Sequence, residues 1–139
     1  MEKLYTAQAT AIGGRNGRVE SSDGIIKLDL RTPVISGGPK GNFSNPEQLF
    51  AAGYAACFDS ALNMNARMNR IKVGETNVTA MVSLNKDDAE GFSISVELQV
   101  KVPGVDRATA EDLVKKAHRD CPYSKATRNN VDVKLTVLD

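Results

Sequence analysis

An α+β domain is the fold class this sequence predicts, and three observations carry that prediction. Two stretches alternate apolar and polar residues with the period of a β-strand: Val78, Ala80, Val82 and Leu84, then Phe92, Ile94, Val96, Leu98, Val100 and Val102. A capped run of small and apolar residues starting at Asn45-Pro46 reads as one long helix. The elements follow the order βββ-α-ββ-α-β, with strands clustered rather than alternating with helices, which excludes a doubly wound sheet.

The first third reads as short strands joined by glycine turns. An extended stretch is expected over Leu4 to Ala11, and Asn16-Gly17 within Gly13-Gly14-Arg15-Asn16-Gly17 signals a hairpin. Arg18 to Ser21 follows as a strand, Ser22-Asp23-Gly24 turns the chain, and Ile25 to Leu30 resumes extended structure. From Thr32 to Asn45 the chain is rich in Gly, Pro and Ser and reads as a loop. Asn45 is then a natural N-cap, Pro46 suits the first helical position, and Gln48 can complete a capping box. This helix is expected to reach about Arg70, with an apolar stripe of Leu49, Ala52, Ala56 and Met64. Gly53, Cys57 and Ala61 stack at spacings of four, which predicts close approach by another helix.

Asn85 to Gly91 is polar and turn-like, so the two alternating stretches form a hairpin. Pro103-Gly104 ends the second. Asp106 to His118 reads as an amphipathic helix with Ala110, Leu113, Val114 and Ala117 inward, and Val131, Val133, Leu135 and Val137 mark a last strand.

At 139 residues the chain fits a single domain, residues 1–139. A net charge of +1 gives no basic footprint for nucleic acid. No apolar run approaches the ~20 residues of a membrane span, and Met1-Glu2-Lys3-Leu4 lacks the apolar stretch of a signal peptide. The expected location is therefore cytoplasmic, where paired cysteines are more often catalytic or redox-sensing than structural. One histidine and two cysteines make a dedicated metal site unexpected, and no cofactor motif is visible.

Cys57 and Cys121 are the only cysteines. Judged by its neighbours, Cys57 reads first as a buried residue packing like a small hydrophobe. Cys121 follows a helix and opens Cys121-Pro122-Tyr123-Ser124, which reads as a more accessible thiol, with a functional role and no role equally open. Sixty-four positions separate the two, so spacing alone does not pair them. Arg15, in its glycine-rich turn, reads first as a solvated arginine. Glu47, in the first turn of the long helix, is accounted for by the helix dipole. His118, near a helix C-terminus, reads as structural. Phe43, Phe50, Phe58 and Met64 could line an apolar entrance, although core packing accounts for each equally well.

Taken together, these segments resemble a specific family. Asn45-Pro46-Glu47-Gln48-Leu49-Phe50-Ala51-Ala52-Gly53-Tyr54-Ala55-Ala56-Cys57-Phe58 is similar to the signature of the organic hydroperoxide resistance branch of the OsmC/Ohr family. Cys121 to Arg128 resembles its second signature, and Gly13 to Arg18 with Ser21 to Gly24 resembles its N-terminal pattern. The resemblance implies an OsmC/Ohr-like fold, assembled as an intertwined homodimer with long central helices. It implies a thiol peroxidase that reduces organic hydroperoxides to alcohols. Cys57 would be the peroxidatic and Cys121 the resolving cysteine, Arg15 and Glu47 would activate Cys57, and a lipoyl-bearing protein or small dithiol would be the reductant. Rival readings are a peroxide-sensing thiol switch, an inert small-molecule binder, and an osmotically induced relative with broader specificity.

Helix geometry adds one constraint. Ten residues separate Glu47 from Cys57, about 15 Å along a helix axis and roughly 80° around it. Either the helix breaks, or the Arg15–Glu47 pair serves the cysteine of a second subunit.

Overall fold

Short strands and glycine turns build the first part of the chain, as their spacing predicts. The structure, a computed structural model, describes residues 1–139 and falls into two compact units, Met1–Leu49 and Phe50–Asp139. In the first unit, β1 (Ala9–Ile12), β2 (Arg18–Ser21) and β3 (Lys27–Asp29) form an antiparallel sheet in that order. β1 is shorter than the extended stretch expected over Leu4 to Ala11. Its partner β2 has four residues, registered from Ala9↔Ser21 to Ile12↔Arg18, and the chain then turns away. One further bond, from the Ser22 N–H to the Gln8 carbonyl at 2.9 Å, extends the pairing past β1.

The β1–β2 connection is not a two-residue turn. It is a loop holding a 3-10 turn at Gly14–Asn16, entered through left-handed Gly13 and Gly14 at φ 80° and 60°. A side chain at Gly17 would place its Cβ 1.7 Å from the Ile12 carbonyl oxygen, so only glycine closes this loop. The Gly/Pro/Ser-rich stretch after β3 is irregular apart from a 3-10 turn at Val34–Ser36. A parallel bridge between Leu30 and Ser44 leads it back to the start of the long helix.

That helix, α1 (Pro46–Met68), is unbroken. Asn45 Oδ1 accepts from the Gln48 N–H at 2.8 Å, the expected N-cap. The capping box does not form, because the Gln48 Oε1 instead accepts from Ser44 Oγ at 2.7 Å. α1 ends slightly early, with Arg70 left-handed at φ 55° and Ile71 N–H bonded to the Ala66 carbonyl, a Schellman closure.

In the second unit, β4 (Asn77–Asp87) and β5 (Gly91–Lys101) pair along their whole length. The expected turn over Asn85 to Gly91 shrinks accordingly, since Asn85, Lys86 and Asp87 continue the ladder opposite Ser93, Phe92 and Gly91. β6 (Val133–Leu138) joins β5 in parallel. α2 (Arg107–Asp120) is capped by Asp106, whose carboxylate accepts from the Thr109 N–H. A six-residue helix, α3 (Pro122–Thr127), follows it directly. The sequence reading did not contain α3, because six residues show no helical period.

The core of this unit joins Tyr54, Phe58 and Leu62 of α1 to Val96, Leu98 and Val100 of β5 and to the predicted inward residues of α2. The buried face of α1 is thus not the Leu49, Ala52, Ala56, Met64 stripe, whose last three members are exposed. Bulk decides the matter: burying Tyr54, Phe58 and Leu62 removes far more apolar area from water than burying alanines. Phe92, expected inward, is 70% exposed at the hairpin end, with Lys86 Nζ over its ring. The α+β class and the predicted order of the major elements hold, with α3 added. No helix is long and apolar enough to cross a membrane.

Candidate functional site

The four predicted residues meet as two pairs, one in each unit. In the first unit, the 3-10 turn lifts Arg15 out of the loop between β1 and β2, and α1 begins with Glu47 in its first turn. Arg15 Nη1 donates to Glu47 Oε2 at 2.8 Å and Nη2 donates to Oε1 at 2.5 Å. This is a bidentate guanidinium–carboxylate fork, stronger and more directional than a single ion pair. The guanidinium holds the Glu47 carboxyl below its ordinary range, and Glu47 raises Arg15 further above its own. Both stay charged near neutral pH. Glu47 therefore does more than complement the helix dipole, and Arg15 is not a merely solvated turn residue.

Arg31 fixes the loop that presents Arg15. Its Nη1 donates to the carbonyls of Asn16, Gly17 and Leu30, and its guanidinium lies 4.9 Å from the centre of the Phe43 ring. Phe43 is thus a stacking platform for Arg31.

In the second unit, Cys57 on α1 faces Cys121 at the junction of α2 and α3. Cys121 Sγ donates to Cys57 Sγ at 3.5 Å, and both thiols are free. Their accessibility reverses the expectation from their neighbours. Cys121 is fully buried, whereas Cys57 is half-buried. Cys121 is sealed by the core of α1, β5 and α2, and local sequence does not reveal that packing. Burial pushes the Cys57 thiol up from its ordinary value, against the Tyr123 backbone N–H, which draws it down. A disulfide requires about 2.05 Å between sulfurs, so this pair is in contact but not bonded.

The predicted close approach to the Gly53, Cys57, Ala61 face is met by α3. A Cβ on Gly53 would lie 3.1 Å from the Tyr123 ring. Tyr54 Oη lies 2.8 Å from Ser124 Oγ and 3.2 Å from Thr127 Oγ1. His118 Nδ1 lies 2.8 Å from the same Ser124 Oγ, and burial, then Arg128, keep its imidazole below the ordinary value. His118 is thus hydrogen-bonded within the fold, and held toward neutrality rather than favoured as a cation. Of the expected entrance residues, Phe58 is fully buried in the core. Phe50 packs edge-on to Tyr54, with ring centres 6.2 Å apart, and Met64 is exposed.

Sequence reasoning missed Tyr54, Ser124, Asn65 and Asp120 as partners. No spacing rule pairs a tyrosine with a serine 70 positions away. The one signal available is that Tyr54 and Ser124 each stand three positions from a cysteine.

Comparison with known proteins agrees with the resemblance read from the motifs. Residues 38–136 match the family model described as OsmC-like protein. The chain is 55% identical over 140 residues to the organic hydroperoxide resistance protein OhrA of Bacillus subtilis (strain 168), covering 99% of each chain. It is 51% identical over 135 residues to the organic hydroperoxide resistance protein of Xanthomonas axonopodis pv. citri (strain 306), covering 96% of this chain and 94% of that one. The crystal structure of an organic hydroperoxide resistance protein from Elizabethkingia anophelis superposes with a TM-score of 0.93 at 52% identity, covering 100% of this chain and 99% of that one. On the family-model match and these near full-length relatives, the chain belongs to the OsmC/Ohr family, in its organic hydroperoxide resistance branch.

Proposed function

We propose that this protein is a thiol peroxidase that reduces organic hydroperoxides to alcohols through a Cys57–Cys121 redox cycle. The observation that carries the reading is the free thiol pair, with sulfurs 3.5 Å apart. The relatives named above support the substrate class. The Cys57 thiolate attacks the terminal peroxide oxygen, the O–O bond breaks, and the alkoxide leaves and takes up a proton. Cys57 is now a sulfenic acid. Cys121 attacks its sulfur, an S–S bond forms, and hydroxide leaves as water with the Cys121 proton. An external dithiol, a lipoyl-type group in the cell, reopens the disulfide by exchange and becomes a disulfide itself.

Ionising Cys57 does not suffice for this chemistry. A thiol of pKa ~8.5 is about 3% thiolate at pH 7. Lowering it three units gains roughly thirtyfold in thiolate and loses roughly twentyfold in nucleophilicity. Arg15 therefore acts chiefly by holding the peroxide and stabilising the departing alkoxide, with Glu47 fixing its guanidinium through the fork.

We further propose that residues 1–139 work as one domain in a cytoplasmic homodimer whose sites are composite. Arg15 and Glu47 of one subunit would serve Cys57 of the other. Two observations support this. α1 runs from Pro46 to Met68 without a break, so Glu47 and Cys57 lie on one continuous helix. Its stripe of Ala52, Ala56 and Met64, and apolar residues such as Ile25 and Ile35, remain exposed in the single chain.

Turnover with a small dithiol and cumene or tert-butyl hydroperoxide tests the function. A peroxidase consumes many equivalents of each. Consumption that stops near one equivalent, or none at all, identifies a thiol switch or an inert binder instead.

A further inference from the structure

We propose that Tyr54, His118 and Ser124 form a positioning node that holds Cys121 against Cys57 and so sets the rate of disulfide closure, not the rate of peroxide attack. The inference rests on the two-cysteine cycle above and assigns residues that the cycle does not itself use.

Three helices meet at one buried oxygen. Ser124 Oγ on α3 lies 2.8 Å from Tyr54 Oη on α1 and 2.8 Å from His118 Nδ1 on α2. Tyr54 and Ser124 are both fully buried. Tyr54 Oη also reaches Thr127 Oγ1 at 3.2 Å, and Thr127 Oγ1 donates to the Ser124 carbonyl. With His118 neutral and its Nδ1 accepting, Ser124 donates to His118 and accepts from Tyr54, so each hydroxyl hydrogen is used. No buried side-chain polar atom in the protein lacks a partner. A fully satisfied buried network favours one arrangement over its neighbours.

The sulfurs lie one helical turn from this node. Tyr54 precedes Cys57 by three residues, and Ser124 follows Cys121 by three. Cys121 is itself a junction: its N–H closes α2 on Ala117 and its carbonyl accepts from Lys125 in α3. A six-residue helix does not hold itself together in water. The position of α3, and with it the exit direction at Cys121, therefore depends on what ties α3 to α1. The node supplies one tie. On the other side of the cysteine pair, Asn65 of α1 is buried and donates to Asp120 Oδ2, the residue just before Cys121, at 3.0 Å. Polar ties thus bracket the thiols along both elements.

Closure demands such a frame. The sulfurs must move from 3.5 Å to about 2.05 Å with a restricted torsion. Closing is an intramolecular reaction whose rate depends on how narrowly the reactants are held, and a 1 Å misplacement can cost about a hundredfold. Peroxide attack on Cys57 does not require Cys121 to be in place. A sulfenic acid that waits longer for Cys121 meets a second peroxide and goes on to sulfinic acid.

Tyr54→Phe is the test, since it removes one hydroxyl and keeps the ring. Stopped-flow mixing with one equivalent of tert-butyl hydroperoxide resolves sulfenic acid formation from its collapse to the disulfide. Mass spectrometry after repeated turnover counts Cys57 sulfinic acid. Formation should stay within about twofold of the unsubstituted protein, while collapse slows by about tenfold and sulfinic acid per turnover rises in step. Ser124→Ala, which removes the node's central oxygen, should slow collapse at least as much, and Thr127→Ala less. Should Tyr54→Phe not fold, Ser124→Ala carries the same comparison. Collapse at an unchanged rate in both variants, or both phases slowed equally, overturns the node. If the unsubstituted protein matches Cys121→Ser and shows no collapse phase, the two-cysteine cycle fails and the node falls with it.

Discussion

Arg15 and Glu47 illustrate how one contact changes the meaning of two residues. Separately, each has a sufficient local explanation in a turn or a helix dipole. Joined by two hydrogen bonds, they fix a planar cation in one orientation. The pH dependence of this pair has a definite sign. The folded-state value of Glu47 lies below its ordinary one, because Arg15 bonds to the ionised form. Its contribution to stability is therefore complete above the ordinary glutamate range and is lost as pH falls through the lower folded-state value. Glu47→Gln should cost about 1 kcal/mol at pH 7, once solvent screening of the partly exposed arginine is allowed for. That corresponds to a melting temperature lower by about 3 °C. Melting curves from pH 7 downward should show this gap shrinking only below the ordinary glutamate range. A gap that stays constant with pH would mean that the charge of Glu47 contributes nothing.

The loop carrying Arg15 shows the same economy among elements. Gly17 lies where a Cβ would stand 1.7 Å from the Ile12 carbonyl oxygen, and the obstructing atom is backbone. Gly17→Ala should therefore destabilise the protein by about 1–3 kcal/mol, measured by chemical denaturation, because β1 must move to admit the methyl group. Peroxidase activity should fall with it as Arg15 leaves Glu47. Full stability in this variant would show that the loop relaxes freely. This loop also marks how far the sequence could be read. Alternation in β4 and β5 and the Asn45-Pro46 start of α1 were legible, since period and cap chemistry are local. The long β4–β5 ladder and the short β1 were not, because strand length depends on how far the partner strand runs. α3 was too short to show a period, and so the helix that approaches Gly53 went unseen. For the cysteines, motifs pointed to the family, yet neighbours misjudged exposure. Cys121 belongs to a core that also takes residues from α1 and β5, which are remote from it along the chain.

At the level of the whole molecule, the single chain leaves several apolar side chains exposed. Ala52, Ala56 and Met64 on α1 are exposed, as are Ile25 at 83% and Ile35 at 97%. A second copy of the chain is the proposed cover, and composite sites are proposed with it. A heterodimer of Cys57→Ser and Glu47→Ala subunits separates the arrangements. Shared sites leave one site intact and one doubly disabled, so about half of the native turnover survives. Sites built within each subunit leave both impaired. Beneath all of this lies the claim that the two cysteines are unequal partners in one redox cycle. Peptide mass mapping after one equivalent of organic hydroperoxide tests it most directly. The account predicts a Cys57–Cys121 disulfide as the main product; a persistent sulfenic acid on Cys57, with Cys121 still a free thiol, would contradict it.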